Sequence, residues 1–186
     1  MRELLPELDL EGLPAGVELP PEKGTSFAEI ALEKARAAHA VTGAPAIGDD
    51  SGIEAAGLGG SPGIYSARYG GPDATDEENL DKLLREVSAA GEDRRAAYHC
   101  ALALVESNGR ERVFEARCEG RLLRERRGEG GFGYDPAFVP DDTGPDDERT
   151  MSELSQAEKN AISHRGGAAR MLAAYLRSGE VARSAR

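Results

Sequence analysis

The chain is predicted to fold as a mixed α/β domain, and three observations carry that reading. Ser26-Phe27-Ala28-Glu29 has the form of a capping box ahead of apolar residues at helical spacing. The short apolar run at 45–47 opens into Gly48-Asp49-Asp50-Ser51-Gly52, as a buried strand does when it ends in a turn and leaves polar groups in a crevice. Asn108-Gly109 between two alternating segments is a strong hairpin signal. The expected order is α, β, turn, α, β-hairpin, loop, β, α, α, without internal repeats or a separate linker.

A length of 186 residues suits one domain, 1–186, with a proper core. No apolar run approaches the ~18 residues of a membrane span, and the first residues show no signal-peptide pattern. Cys100 and Cys118 are too few and too far apart for a zinc cage, so a reducing cytoplasm is the expected compartment. A net charge of −11 argues against a protein that coats nucleic acid. It leaves room for a small polyanion bound with a metal ion, because a local basic cluster can work inside an acidic shell.

In chain order, Leu4, Leu5 and Leu8 suit the end of a helix, and Pro14, Pro20 and Pro21 force extended or turn structure. The helix capped by Ser26 carries Phe27, Ile30, Ala31, Ala35, Ala38 and Val41 and stops at Gly43. Lys34 falls on its apolar face, where a lysine either snorkels to water or is aimed at a phosphate. Residues 44–71 then hold the two aspartates, a second glycine cluster, and Arg68 between Tyr65 and Tyr69. Thr75 to Glu78 form another capping box, ahead of Leu80, Leu83, Leu84 and Val87.

Tyr98, Cys100, Leu102 and Leu104 alternate along a strand that returns over 113–121, which sets the two cysteines roughly opposite each other as buried free thiols. Four glycines in 128–133 surround Phe132, either as a stacking platform for a base or as a β-bulge with a core aromatic. An acidic, disorder-leaning loop is expected at 141–149, and a helix capped by Ser155 carries Lys159 and breaks at His164-Arg165. A last helix with Met171, Leu172, Tyr175 and Leu176 precedes a frayed tail at 178–186.

Three blocks in this order, SFAEIALEKA with GDDSGIEAAGLGGSPGIYSARYGG, then GEGGFGYDPAFVP, then LSQAEKNAISHRG, closely resemble the inosine/xanthosine triphosphate pyrophosphatases, the non-canonical purine nucleoside triphosphate pyrophosphatases. The similarity spans roughly residues 4–176. The resemblance implies an elongated mixed sheet flanked by helices, a central nucleotide cleft and a homodimer. It also implies Mg²⁺-dependent cleavage of ITP, dITP or XTP to the monophosphate and pyrophosphate, which cleanses the nucleotide pool. By the same resemblance Asp50 is the general base and a metal ligand, with Glu22 as the second metal acid. Lys34 and Lys159 face the phosphates and Ser51 touches substrate. Phe132, Gly133, Tyr134 and Asp135 form the base loop, while His164 and Arg165 read the purine edge; Arg68 is a further candidate. Donors at that edge favour a 6-oxo group over the 6-amino group of adenine.

Two departures stand out. The family's opening strand and its Ser/Thr-x-Asn-x-x-Lys phosphate turn have no counterpart, and residues 1–5 look like the helix that follows them. Ile30 stands where many members have asparagine. The expectation is an enzyme whose start lies roughly 15 to 20 residues upstream, on the order of one strand and a turn, with weak or no activity for the chain as written. The alternative is a non-catalytic nucleotide-binding or dimerisation module. A related enzyme for modified pyrimidines is disfavoured by the GFGYDP loop and the His164-Arg165 pair.

Overall fold

The computed structural model describes residues 1–19 and 21–178. Its regular elements are α1 (Phe27–Thr42), β1 (Ala46–Ala55), α2 (Asp76–Ala90), β2 (Arg95–Val105), β3 (Glu111–Leu122), β4 (Phe138–Pro140), α3 (Gln156–Ile162) and α4 (His164–Arg177). The strands form one antiparallel sheet in the order β1-β2-β3-β4. Apart from Ser178, the tail expected at 178–186 lies outside the described residues. The chain divides into two compact units. The first holds Met1–Asp50, Cys100–Ala116 and the chain from Arg165; the second holds Ser51–His99 and Arg117–His164.

In the first unit, α1 starts where expected because the Ser26 hydroxyl accepts the Glu29 N–H at 3.2 Å. It stops at Gly43, whose φ of 66° lets its N–H close on the His39 carbonyl at 2.8 Å. Phe27, Ile30, Ala31 and Ala35 are buried along one face. Strand β1 does not break at Gly48-Asp49-Asp50-Ser51-Gly52, as the glycines suggest, but runs straight through it. Neither Gly48 nor Gly52 has a positive φ. Gly48 is instead a contact point, since a Cβ there would lie 2.0 Å from the Ala31 carbonyl oxygen. Glycine at 48 lets strand and helix backbones meet, and an unbroken strand sends Asp49 and Asp50 to opposite faces.

The rest of that core joins Cys100, Leu102, Leu104 and Phe114 to Ala168, Ala169, Leu172 and Ala173, with Leu5 fully buried among them. No helix forms at the N-terminal leucines. The Leu4 and Leu5 N–H groups both donate to the Met1 carbonyl in a single turn, and Pro6 has no N–H to continue it. Asn108-Gly109 closes the β2–β3 hairpin as expected, with Gly109 at φ 81° and Glu106 N–H donating to Arg110 at 2.9 Å. That register sets Cys100 opposite Ala116 and Cys118 opposite Tyr98, so the thiols are two positions out of line; both are buried and free.

In the second unit the α2 capping box forms in full, Thr75 and Glu78 each taking the other's backbone N–H. Leu80, Leu83, Leu84 and Val87 pack with Ile53, Tyr98, Cys118, Phe138 and Met151. Full burial of such a side chain contributes about 1.5–3 kcal/mol. Strand β4 pairs with β3 through Leu122–Phe138 and Gly120–Pro140. The segment 141–149, expected to be disorder-leaning, has defined contacts. A short turn at Asp141–Thr143 is followed by Arg149, which holds Asp147 at 2.7 Å and Glu158 at 3.1 Å. Ion pairing offsets the self-repulsion that the acidic sequence suggested.

Candidate active site

In the first unit, the turn carrying Glu22 is fastened to α1 from below. Glu33 Oε2 accepts the Lys23 and Gly24 N–H groups at 3.1 and 3.3 Å. Ile30, fully buried, lies against Gly24, so the apolar residue fills space while Glu33 supplies the hydrogen bonds to the turn. One residue on, Lys34 Nζ lies 2.7 Å from Asp50 Oδ1, 2.9 Å from Glu22 Oε1 and 3.4 Å from the Asp49 carbonyl oxygen. Burial opposes the Lys34 charge, but the hydrogen bonds and charges of Asp50 and Glu22 outweigh it and hold the ammonium above its ordinary value. Burial also lifts the Asp50 carboxyl above the usual carboxylate range, more than Lys34 offsets, with Glu22 and Asp49 adding repulsion.

The Asp49 side chain is held separately. Arg165 Nε donates to Oδ2 at 2.7 Å and Nη2 to Oδ1 at 3.4 Å, and the Cys100 thiol lies 3.6 Å from Oδ1. Burial pushes that thiol up, with Asp49 adding to it. Sequence reasoning noted Asp49 beside Asp50 but gave it no role, and it missed Glu33. For Asp49 the available signal was alternation along an unbroken strand; for Glu33 there was none, because its partner is backbone.

The second unit gathers the glycine loop. Asp135, almost fully buried, accepts from Tyr98 Oη at 3.1 Å, from the Phe132 N–H at 3.0 Å, and from Lys159 in a short ion pair. Gly131, at φ 78°, has no room for a side chain, because its Cβ would sit 2.3 Å from Asp135 Oδ2. The Lys159 ammonium also lies 4.6 Å from the centre of the Phe132 ring, and Phe132 is 60% exposed. Of the two readings of this loop, the displayed aromatic is the one observed. Tyr134 is buried, donating its hydroxyl to the Ser66 carbonyl at 2.7 Å, and the Gly133 N–H donates to Asp76 at 2.9 Å. His164 is buried and stacks on Tyr98 with centroids 4.6 Å apart and planes 6° apart. Burial, then Asp135, pushes the Tyr98 phenol well above its ordinary value, keeping it a donor.

The expected residues thus fall into two groups. Glu22, Lys34, Asp50 and Arg165 belong to the first unit. Phe132, Gly133, Tyr134, Asp135, Lys159 and His164 belong to the second, together with Ser51, which follows Asp50 in β1. Lys159, expected beside the phosphates, is engaged by Asp135 and the Phe132 ring. The neighbours His164 and Arg165 part company, one on Tyr98 and the other on Asp49. Arg68 lies over the Tyr65 ring at 5.3 Å, on the wall of a shallow concavity of about 380 Å³.

Carboxylates gathered on one cation, and an aromatic shown to solvent beside a second lysine, are parts that a nucleotide-processing enzyme uses. The chain belongs to the Ham1 family, whose model matches residues 1–175. A dITP/XTP pyrophosphatase of Shigella flexneri is 47% identical over 167 residues, 88% of this chain and 83% of that protein. One from Coxiella burnetii is 43% identical over 182 residues, 95% of this chain and 89% of that protein. The solved HAM1 protein of Coxiella burnetii matches with a TM-score of 0.85 at 42% identity, over 95% of this chain and 91% of that one.

Proposed function

We propose that this chain hydrolyses dITP, XTP and ITP to the nucleoside monophosphate and pyrophosphate, removing non-standard purines from the nucleotide pool. The observation that carries the reading is the convergence of the Glu22 and Asp50 carboxylates on a single cationic point. Phosphoryl chemistry of this kind calls for a divalent cation, and Mg²⁺ is the ion proposed. The donor set fits it: two hard carboxylate oxygens meet at one place, and Mg²⁺ is ordinarily held by one or two carboxylates plus substrate phosphates and water. Among the described residues no group of three or more His, Cys, Asp or Glu side chains could hold a metal ion, so the triphosphate completes the set. When bound, the ion offsets charge on the phosphates and on the leaving pyrophosphate.

In this reading Asp50 takes the proton from the water that attacks the α-phosphorus, and Glu22 shares the ion with it. Lys34 and Ser51 contact the phosphate chain. Arg165 holds Asp49, the residue next to the base, and contributes a donor to the purine edge with His164. Phe132 stacks on the base, while Gly133, Tyr134 and Asp135 shape the loop. Lys159 is read with that platform because Asp135 and the Phe132 ring take its ammonium. A homodimer and a cytoplasmic location complete the proposal; two buried free thiols suit a reducing compartment. Among the described residues no helix is long and apolar enough to cross a membrane.

The test is pyrophosphate release from dITP, XTP, ITP, dATP and GTP, with Mg²⁺ and with chelator. Release from dITP, XTP and ITP, about 100-fold or more faster than from dATP, faster than from GTP and abolished by chelator, is the expected result. Equal turnover of dATP, or none of dITP, sinks the reading.

A further inference from the structure

We propose that the Lys34 ammonium holds the place of the divalent cation while the protein is free of nucleotide, and leaves it only when metal and triphosphate arrive together. The inference rests on the reading of Glu22 and Asp50 as the ion's ligands and names what regulates that site. An ammonium has three N–H bonds. Around Lys34 Nζ there are three acceptors, at 2.7 Å on Asp50, 2.9 Å on Glu22 and 3.4 Å on the Asp49 carbonyl. In this pose its donors are committed, so a bond to phosphate requires giving up at least one of them. The two carboxylates it would release are the proposed ligands of the metal.

The charges make the exchange concerted. Two carboxylates and one ammonium sum to −1, and all three side chains are half-buried or more. A dication arriving alone would meet an ammonium on the same oxygens, and the neighbouring carboxylates are already engaged, Asp49 by Arg165 and Glu33 by the Lys23 and Gly24 N–H groups. A triphosphate supplies an anion for the displaced charge. Lys34 then turns from the carboxylates to the phosphates, and the oxygens it leaves are taken by the ion. Metal and nucleotide therefore strengthen each other's binding, and the coupling is reciprocal by linkage. Glu33 gives the arrangement its rigidity: from the adjacent helical position it fastens the backbone of Lys23 and Gly24 beside Glu22.

The experiment is Mn²⁺ binding followed by electron paramagnetic resonance, with and without a non-hydrolysable α,β-imido dITP. It compares the full chain with Lys34→Gln, Lys34→Met and Lys34→Arg, each checked for folding by circular dichroism. Without nucleotide, Lys34→Gln and Lys34→Met are expected to bind Mn²⁺ about tenfold more tightly than the parent. Lys34→Arg, which keeps the charge, should stay within about twofold of it. The tightening caused by the analogue should shrink in the two neutral variants. Equal or weaker Mn²⁺ binding by both neutral variants overturns the proposal, as does tightening by Lys34→Arg. Adding Glu22→Gln to Lys34→Gln separates the layers. Lost Mn²⁺ affinity supports the ligand reading, whereas unchanged affinity removes the metal site and the placeholder with it.

Discussion

Two lysines on two helices each meet acid, and the outcomes differ. Lys34 faces two carboxylates, with side-chain exposures of 23% for the lysine, 28% for Glu22 and 11% for Asp50. Lys159 faces one, and that pair is far more enclosed, at 12% and 4%. In the first cluster acid exceeds base, and the group at its centre, Asp50, is held above its ordinary pKa. In the second, the one carboxylate of Asp135 is met by three donors from within the chain, a lysine, a phenol and a backbone N–H. A cluster with acid to spare is chemically expectant, whereas a saturated one is architecture. In the proposed function the same two residue types serve a reaction in one place and the rigidity of a loop in the other, and the ratio of donors to acceptors is what distinguishes them.

That contrast can be broken at either end. The largest effect is expected from Asp50→Asn, which should lower turnover of dITP by about 10³-fold yet leave thermal stability intact. Because the Asp50 carboxyl is raised above 3.8 in the fold, its ionisation costs the folded chain more than the unfolded one at pH values above that range, and the amide removes that cost. A clear fall in Tm at pH 7 would count against the distinction. Asp135→Asn should do the reverse on stability, lowering it by about 3 kcal/mol in urea unfolding, since Lys159 is left buried without its counter-charge. A loss under about 1 kcal/mol, within the range of an exposed pair, would show the enclosed pair to be no more structural than a surface one.

Next comes Gly48→Ala, which should cost about 2 kcal/mol by forcing α1 off β1. Phe132→Ala should raise KM for dITP by about tenfold with kcat and Tm little changed, because an exposed ring contributes to binding and little to folding. The smallest effect belongs to Asp93, outside both clusters. Hydrogen bonds from Arg95 bring its carboxyl down to about 2. A depressed pKa stabilises above 3.8 and loses that contribution as pH falls toward 2. The Tm difference between the parent and Asp93→Asn should therefore be small at pH 7 and fade as pH falls through about 2.

Legibility followed locality. Capping boxes at Ser155 and Thr75 act within four residues, and both form as read. The Asn108-Gly109 hairpin is equally local. The run of Gly48 to Gly52 misled because glycine serves two purposes, turning a chain or clearing space for another, and the second depends on Ala31 in a separate element. The site split the same way. Asp50, Lys34 and the Phe132 loop were singled out through their motif blocks, but the Arg165–Asp49 pair spans 116 positions, and no pattern along the chain announces it. Glu33 was invisible for a different reason: its partners are peptide N–H groups, which every residue but proline possesses.

The two cysteines have one practical consequence. Cys100 and Cys118 are this chain's whole complement of sulfhydryls. Both are sealed in packed interiors, and burial lifts the Cys118 thiol to about 12 and carries Cys100 higher still. Maleimides and mild oxidants need an accessible thiolate, so the native protein offers them no target while folded. A dye or spin label can therefore be attached through a cysteine introduced at exposed Tyr65, with the natural pair left in place.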